Sequence, residues 1–195
     1  MQVWLIALSL FPALIVLHLL VSPHTKVEES FNIQAVHDIL TFGIPSKNIQ
    51  HAFKTHYDHV TFPGAVPRTF VGALMLAGIS QPFIWLYGAI DRQQLGQPPT
   101  TSLCSLLAST APHQQLISIP ARGVLGVFNA GSLMIYAMGV RKAFGKATAL
   151  WYIALQAGQF HVIYYASRTL PNMFAFGLST LNCLFPILAS HFFSS

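Results

Sequence analysis

The segment from Val3 to Val21, VWLIALSLFPALIVLHLLV, decides the structural class of this protein. It contains no Asp, Glu, Lys or Arg, and as a helix it is long enough to cross roughly 30 Å of hydrocarbon. A cleaved signal peptide is the alternative, but it requires a basic start, a shorter apolar run and a small-x-small cleavage site. The sequence shows none of these before Pro23. We therefore predict an uncleaved first membrane span.

The composition of the whole chain gives the same class. The 195 residues are 53% hydrophobic and 8% charged, whereas soluble domains are about 25% charged. So few polar side chains cannot cover a soluble surface, and the hydrophobicity excludes a disordered chain. The net charge of +5 comes from scattered residues without a Lys/Arg run, which gives no support for nucleic-acid binding. Cys104 and Cys183 lie in apolar settings, unlike a disulfide framework.

Four further apolar segments follow the first span, and the last contains Pro186 as an expected interruption. They are Thr69–Ile90, Gly123–Val140, Ala147–Ala166 and Met173–Ala189. We therefore predict an all-α membrane protein in which residues 1–195 form a single transmembrane domain.

The main polar segment is a loop over about residues 23–68, which holds four of the five acidic residues. Between Thr25 and Gly43 an apolar residue recurs every fourth position, which predicts an amphipathic helix lying on the bilayer surface. This apolar stripe consists of Val27, Phe31, Ala35 and Ile39.

Two adjacent acids, Glu28 and Glu29, begin this helix. Adjacent residues on a helix point about 100° apart, so one can face solvent while the other faces protein or membrane. A carboxylate at a membrane boundary is a candidate general base. Acids that offset the helix dipole are the alternative interpretation.

Other polar side chains are weaker candidates. His56, Asp58 and His59 lack the spacing of a zinc site, which favours a solvated loop. Arg68 fits either an anionic phosphate or an interfacial anchor. His161 and Arg168 lie within or beside apolar segments, where ionisable groups are costly, so function and helix packing are both open for them.

Three motifs together resemble glycosyltransferase family 22. They are Thr25–Gln34 followed by His37–Leu40, Tyr57–Phe70, and Gln159–His161 followed by Ser167–Asn172. Within that family, Glu-Glu-Ser-Phe is the variant similar to the α-1,6-transferring members.

The resemblance implies a multi-pass enzyme of the endoplasmic reticulum membrane with GT-C architecture, its loop luminal. It would move mannose from dolichyl phosphate mannose to a dolichyl-diphosphate oligosaccharide, in the Man7 to Man8 step, by one inverting displacement. By this resemblance Glu28 is the base and Glu29 supports it, while the substrate-binding residues are Arg68, His161, Arg168 and Asn172. No metal or other cofactor is expected, because the lipid phosphate is a competent leaving group; protein partners are not specified.

Residues 93–114 and 181–195 depart from the family pattern, and family members are several hundred residues long. We therefore expect the chain to correspond to an N-terminal portion, truncated relative to the family. A non-catalytic protein that binds dolichol-linked sugar or a partner is the alternative. A small transporter using Gln159, His161 and Arg168 is a further one, although no internal symmetry supports it.

Overall fold

The computed structural model describes residues 2–43, 51, 55, 57, 71–94 and 113–193. Within these residues the regular structure is helical and no strand occurs, which confirms the all-α prediction. The helices are α1 (Gln2–Val21), α2 (Val27–Phe42), α3 (Val71–Gln94), α4 (His113–Phe144), α5 (Lys146–Gly158), α6 (Phe160–Tyr165) and α7 (Pro171–Phe193).

Helix α1 has the burial pattern of a membrane helix. One face is buried, on residues spaced three or four apart: Trp4, Leu8, Phe11, Ile15 and Leu19. Most of the other large apolar side chains of the helix are exposed, Leu5 to 60% and Val21 to 75%. A helix that is apolar around its whole circumference needs an apolar environment on its outer side as well. Among the described residues, α1 and Ser118–Phe144 are long and apolar enough to cross a membrane, and Val71–Phe83 is a shorter apolar helix.

The structure corrects the predicted spans in three places. The segment Ala147–Ala166 is two helices, because the backbone leaves the helical conformation at Gln159, directly after Gly158. Helix α5 alone is about 20 Å long, which is too short to cross the hydrocarbon. Pro186 does not interrupt α7; prolines are tolerated in membrane helices when neighbouring groups satisfy the backbone. The third predicted span, Gly123–Val140, is only part of the longer α4.

The chain forms two compact units. The first comprises Met1–Pro23 and Leu125–Ser195, and the second comprises His24–Val124. In the first unit α1 packs against α5 and α6. Its aromatic contacts include Phe11 edge-on to Tyr152 at 6.5 Å between ring centroids. The guanidinium of Arg141 lies 4.7 Å from the ring centroid of Trp4.

In the second unit α2 packs against α3. The buried face of α3 carries small side chains, which allow a close helix approach: Ala73, Ala77 and Ser80, together with Leu76. The Ser80 hydroxyl donates to the Leu76 carbonyl at 2.6 Å, so this buried polar group is satisfied within its own helix.

The predicted helix after the first span exists as α2, and the side of it that packs against protein overlaps the predicted apolar stripe at Ala35, which is buried, but not at Val27. Val27 is 87% exposed, whereas Glu29, Asn32 and Val36 are buried. The reason is geometric. A step of four residues turns a helix by 400°, so Val27 and Ile39 are about 120° apart and do not share one face.

Candidate active site

The two adjacent acids at the start of α2 lie in different environments. Glu28 is exposed, and Glu29 is 0% exposed. This separation follows from the turn of about 100° between neighbouring residues on a helix. One carboxylate is therefore accessible to a substrate, while the other is enclosed by protein.

The two carboxylate oxygens of Glu29 make different contacts, a hydrogen bond through Oε1 and an ion pair through Oε2. The Lys26 backbone N–H donates to Oε1 at 3.3 Å, across the first turn of the helix. Oε2 lies 3.7 Å from Nε of Arg122, and both side chains of this ion pair are at least 99% buried. An isolated charge at such depth is strongly disfavoured, and the opposite charge of each partner offsets part of the cost of burying the other.

Sequence reasoning missed Arg122. The predicted third span begins at Gly123, so Arg122 falls one residue outside it and is not among the candidate residues. In the structure it lies within α4, between Ala121 and Leu125, which are both buried. A single arginine within a long apolar segment could have identified Arg122 from the sequence, because ionisable residues at membrane depth are functional candidates by default.

The far end of α2 is fixed by Tyr57. Its hydroxyl donates a hydrogen bond to the carbonyl of Gly43, the residue that ends the helix with φ of 68°. The Tyr57 ring also lies against Phe42, at 6.3 Å between centroids. Burial, and secondarily the negative charge of Asp38, raise the pKa of Tyr57 above its ordinary value of 10.0. The tyrosine therefore stays neutral as a donor well into the alkaline range.

In the first unit, Arg168 lies in the turn between α6 and α7 and is 1% exposed. Its Nη2 donates to the Ser22 hydroxyl at 2.8 Å and to the Tyr164 hydroxyl at 2.7 Å. The guanidinium carbon also lies 4.4 Å from the ring centroid of Tyr164. Arg168 thus connects the residue after α1 with α6 and the turn itself.

Helix α4 packs against the same turn and forms hydrogen bonds with it. Asn129 is fully buried, and its Nδ2 donates to the Ala166 carbonyl at 2.7 Å and to the Met173 carbonyl at 3.2 Å. A Cβ added to Gly126 would lie 3.1 Å from Cβ of Ser167. The turn therefore sits directly on the backbone of α4, and a larger residue at Gly126 would displace it.

The other predicted substrate-binding residues are exposed. His161 lies on α6, where its ring meets Phe160 at 6.0 Å between centroids, and Asn172 lies in the first turn of α7. Within the described contacts, neither side chain bonds to Arg168. Gln159 is exposed at the break between α5 and α6, where its Oε1 accepts a hydrogen bond from Nε2 of Gln156 at 3.5 Å.

Several predicted residues lie outside the part of the chain that the structure describes: Arg68, His56, Asp58, His59 and Cys104. Within the described part, no three His, Cys, Asp or Glu side chains are grouped so that they could hold a metal ion.

Comparison with known proteins identifies one family over nearly the whole chain. The model of the Alg9-like mannosyltransferase family matches residues 5–186. No solved structure matches.

Curated relatives carry one name in several organisms, Dol-P-Man:Man(7)GlcNAc(2)-PP-Dol alpha-1,6-mannosyltransferase. The chain is 32% identical to the Saccharomyces cerevisiae protein over 187 residues, which cover 87% of this chain and 30% of that protein. It is 33% identical to the Arabidopsis thaliana protein over 165 residues, covering 85% and 28% respectively. The Drosophila melanogaster protein is 37% identical over 159 residues, covering 81% and 19%. The chain therefore spans less than a third of the length of these relatives.

Proposed function

Because the chain belongs to the Alg9-like mannosyltransferase family, we propose that it forms part of an enzyme that assembles the dolichol-linked N-glycan precursor. The reaction is transfer of mannose from dolichyl phosphate mannose to Man7GlcNAc2 on dolichyl diphosphate, with an α-1,6 linkage. The names of the relatives support this substrate pair and linkage. We propose further that the protein is a multi-pass GT-C enzyme of the endoplasmic reticulum membrane, with the loop carrying α2 on the luminal side.

The reaction needs one proton acceptor and no change of oxidation state. The 6-hydroxyl of the acceptor mannose loses its proton to a carboxylate, and its oxygen attacks the anomeric carbon of the donor. The bond from that carbon to the phosphate oxygen breaks, and dolichyl phosphate leaves with the electron pair. A single displacement of this kind converts a β-linked donor into an α-linked product.

We assign the proton acceptor to Glu28, with Glu29 in the supporting position. The observation that carries this assignment is the difference between the two acids: Glu28 is exposed, whereas Glu29 is buried beside Arg122. A general base must come within hydrogen-bond reach of the hydroxyl it deprotonates, which an enclosed carboxylate does not allow. Glu28 is therefore the only one of the pair with access to a substrate.

The remaining substrate contacts are proposals of the same kind. Arg68 and Arg168 are assigned to the donor phosphate, and His161 and Asn172 to polar groups of the sugars. The exposure of His161 and Asn172 supports contact with a ligand. Arg168 is buried, and two hydroxyls already occupy its Nη2, so a phosphate would have to compete with them.

The test is Glu28→Gln, which keeps the size of the side chain and removes its basicity. The native protein and its variants are expressed in microsomes lacking this α-1,6-transfer. Labelled dolichyl phosphate mannose and Man7GlcNAc2-diphosphate-dolichol are added, and the released glycans are separated by size. Loss of a general base predicts a rate lower by about 10²–10⁴-fold. Thr41→Ala, an exposed change near the end of α2, serves as the matched control and is expected to keep the rate.

An unchanged yield of Man8 product from the Glu28→Gln protein would exclude Glu28 as the base. If the same membranes lost transport of a solute only on changing His161 or Arg168, the transporter interpretation would replace the enzyme.

A further inference from the structure

The buried ion pair between Glu29 and Arg122 in the second unit is not readily explained by stability. Replacing a buried ion pair by apolar residues of similar volume is often neutral or even stabilising. Stability alone is therefore a weak reason for two charges that are at least 99% buried. A role in fixing a geometry explains them better.

The geometry in question is the first turn of α2. The first four N–H groups of any helix have no intrahelical acceptor, so its first turn frays unless side chains hold it. Glu29 stabilises this turn through two contacts. Its Oε1 accepts a hydrogen bond from the Lys26 N–H, and its Oε2 lies 3.7 Å from Nε of Arg122 on α4. The turn is thereby fixed both to its own start and to a second helix.

Glu28 is carried by this turn. It precedes Glu29 directly, and its direction differs from that of Glu29 by the fixed helical angle of about 100°. Holding Glu29 against α4 therefore sets the direction in which the Glu28 carboxylate points.

We propose that Arg122 is a positioning residue for mannosyl transfer, acting through Glu29 to hold Glu28 in its reactive orientation. The proposal rests on the proposed function, in which Glu28 is the base. Arg122 is enclosed by protein and acts on the rate of the chemical step without touching either substrate.

The test measures kcat and both KM values in the microsomal assay for Arg122→Gln and Arg122→Lys. A misplaced catalytic group costs on the order of 100-fold in rate, and we expect this loss in kcat for Arg122→Gln. Both KM values are expected to stay within about twofold of the parent, because Arg122 makes no substrate contact. Lysine keeps the charge beside Glu29, so Arg122→Lys should recover at least about tenfold of the lost kcat. Ser132→Ala is the control, since Ser132 is a buried residue of α4 whose hydroxyl bonds within its own helix.

Arg122→Gln removes the cation beside the buried carboxylate of Glu29, so this variant is expected to be less stable than the parent. The double variant Glu29→Gln/Arg122→Gln removes both charges and is expected to be more stable than Arg122→Gln alone. Its kcat is expected to remain at least about tenfold below the parent, because neutral amides hold the turn less firmly than the ion pair.

A kcat within about twofold of the parent in the double variant or in Arg122→Gln would overturn the positioning role. So would a loss confined to KM. The Glu28→Gln protein separates this failure from that of the proposed function. If Glu28→Gln is inactive while Arg122→Gln keeps its kcat, only the role of Arg122 is wrong. If Glu28→Gln is active, the assignment of the base itself is wrong.

Discussion

Two roles for Arg168 make opposite predictions, and the hydroxyl of Tyr164 separates them. If the guanidinium serves to hold the turn between α6 and α7, its hydrogen bond to Tyr164 contributes to stability. If its purpose is to bind the donor phosphate, that hydroxyl is dispensable. Tyr164→Phe removes the hydroxyl and keeps the aromatic ring under the guanidinium.

The magnitude follows from the geometry. Nη2 of Arg168 lies 2.7 Å from the Tyr164 hydroxyl and 2.8 Å from that of Ser22, with Arg168 1% exposed. A hydrogen bond to a charged group contributes about 1.5–3 kcal/mol. We expect Tyr164→Phe to lower the free energy of unfolding by that amount. The stacking of the ring on the guanidinium, about 0.5–2 kcal/mol, is retained.

The assay is denaturant unfolding of the purified protein in mild detergent, followed by tryptophan fluorescence. In an Arg168→Met background the same Tyr164→Phe change should cost less than about 0.5 kcal/mol, because its donor is already gone. Ser22→Ala should behave like Tyr164→Phe, since it removes the other acceptor of the same nitrogen. Unfolding free energies of Tyr164→Phe and Ser22→Ala equal to the parent, together with a raised KM for dolichyl phosphate mannose in Arg168→Lys, would refute the structural role.

Two further predictions concern stability. A Cβ at Gly177 would clash with the ring of Phe128, whereas a Cβ at Gly131 would meet nothing within 4 Å. Gly177→Ala should therefore be less stable than Gly131→Ala by about 1–3 kcal/mol, as measured by thermal unfolding of the two variants. The pKa of Tyr57 is raised by burial and by Asp38, so its contribution to stability is complete below about pH 10 and is lost as the pH rises toward the folded-state pKa. Tyr57→Phe should cost about 1 kcal/mol at neutral pH through the lost bond to a carbonyl, and the gap to the parent should narrow above pH 10. A gap that stays constant in alkaline unfolding curves would show that Tyr57 ionises normally.

The sequence predicted well those features that depend on local pattern. The predicted helices at Val3–Val21 and between Thr25 and Gly43 both exist. They could be predicted because their signals, an apolar run and acids at a helix start, each lie within one segment of the sequence. The side of α2 that packs against protein matches the predicted stripe only in part, since Ala35 is buried and Val27 is exposed. A four-residue repeat is not the period of the helix, and the packing partner α3 decides which side is buried.

Contacts between distant segments could not be predicted. Arg168 was a candidate from its position beside apolar segments, but its partner Ser22 lies 146 residues away in the chain. Nothing in either local sequence indicates the pairing. Arg122 was missed for a related reason. Its partner Glu29 lies on another helix, and a charge directly before Gly123 is indistinguishable in sequence from one that ends a span.

The two buried arginines, Arg122 and Arg168, have a common structural role that the composition does not reveal. In a chain with few charged residues, both Arg122 and Arg168 are used where a helix begins or ends. Helix ends carry backbone groups without intrahelical partners, and in an apolar environment water cannot hold them in place. A buried cation can do so from a neighbouring helix: Arg122 fixes the start of α2 through Glu29, and Arg168 fixes the residue after α1 through Ser22. Glu28 is exposed in the first turn of α2, next to Glu29, and Asn172 is exposed four residues after Arg168 in the chain. We therefore expect the fixed helix ends to hold in place the groups that we assign to substrate.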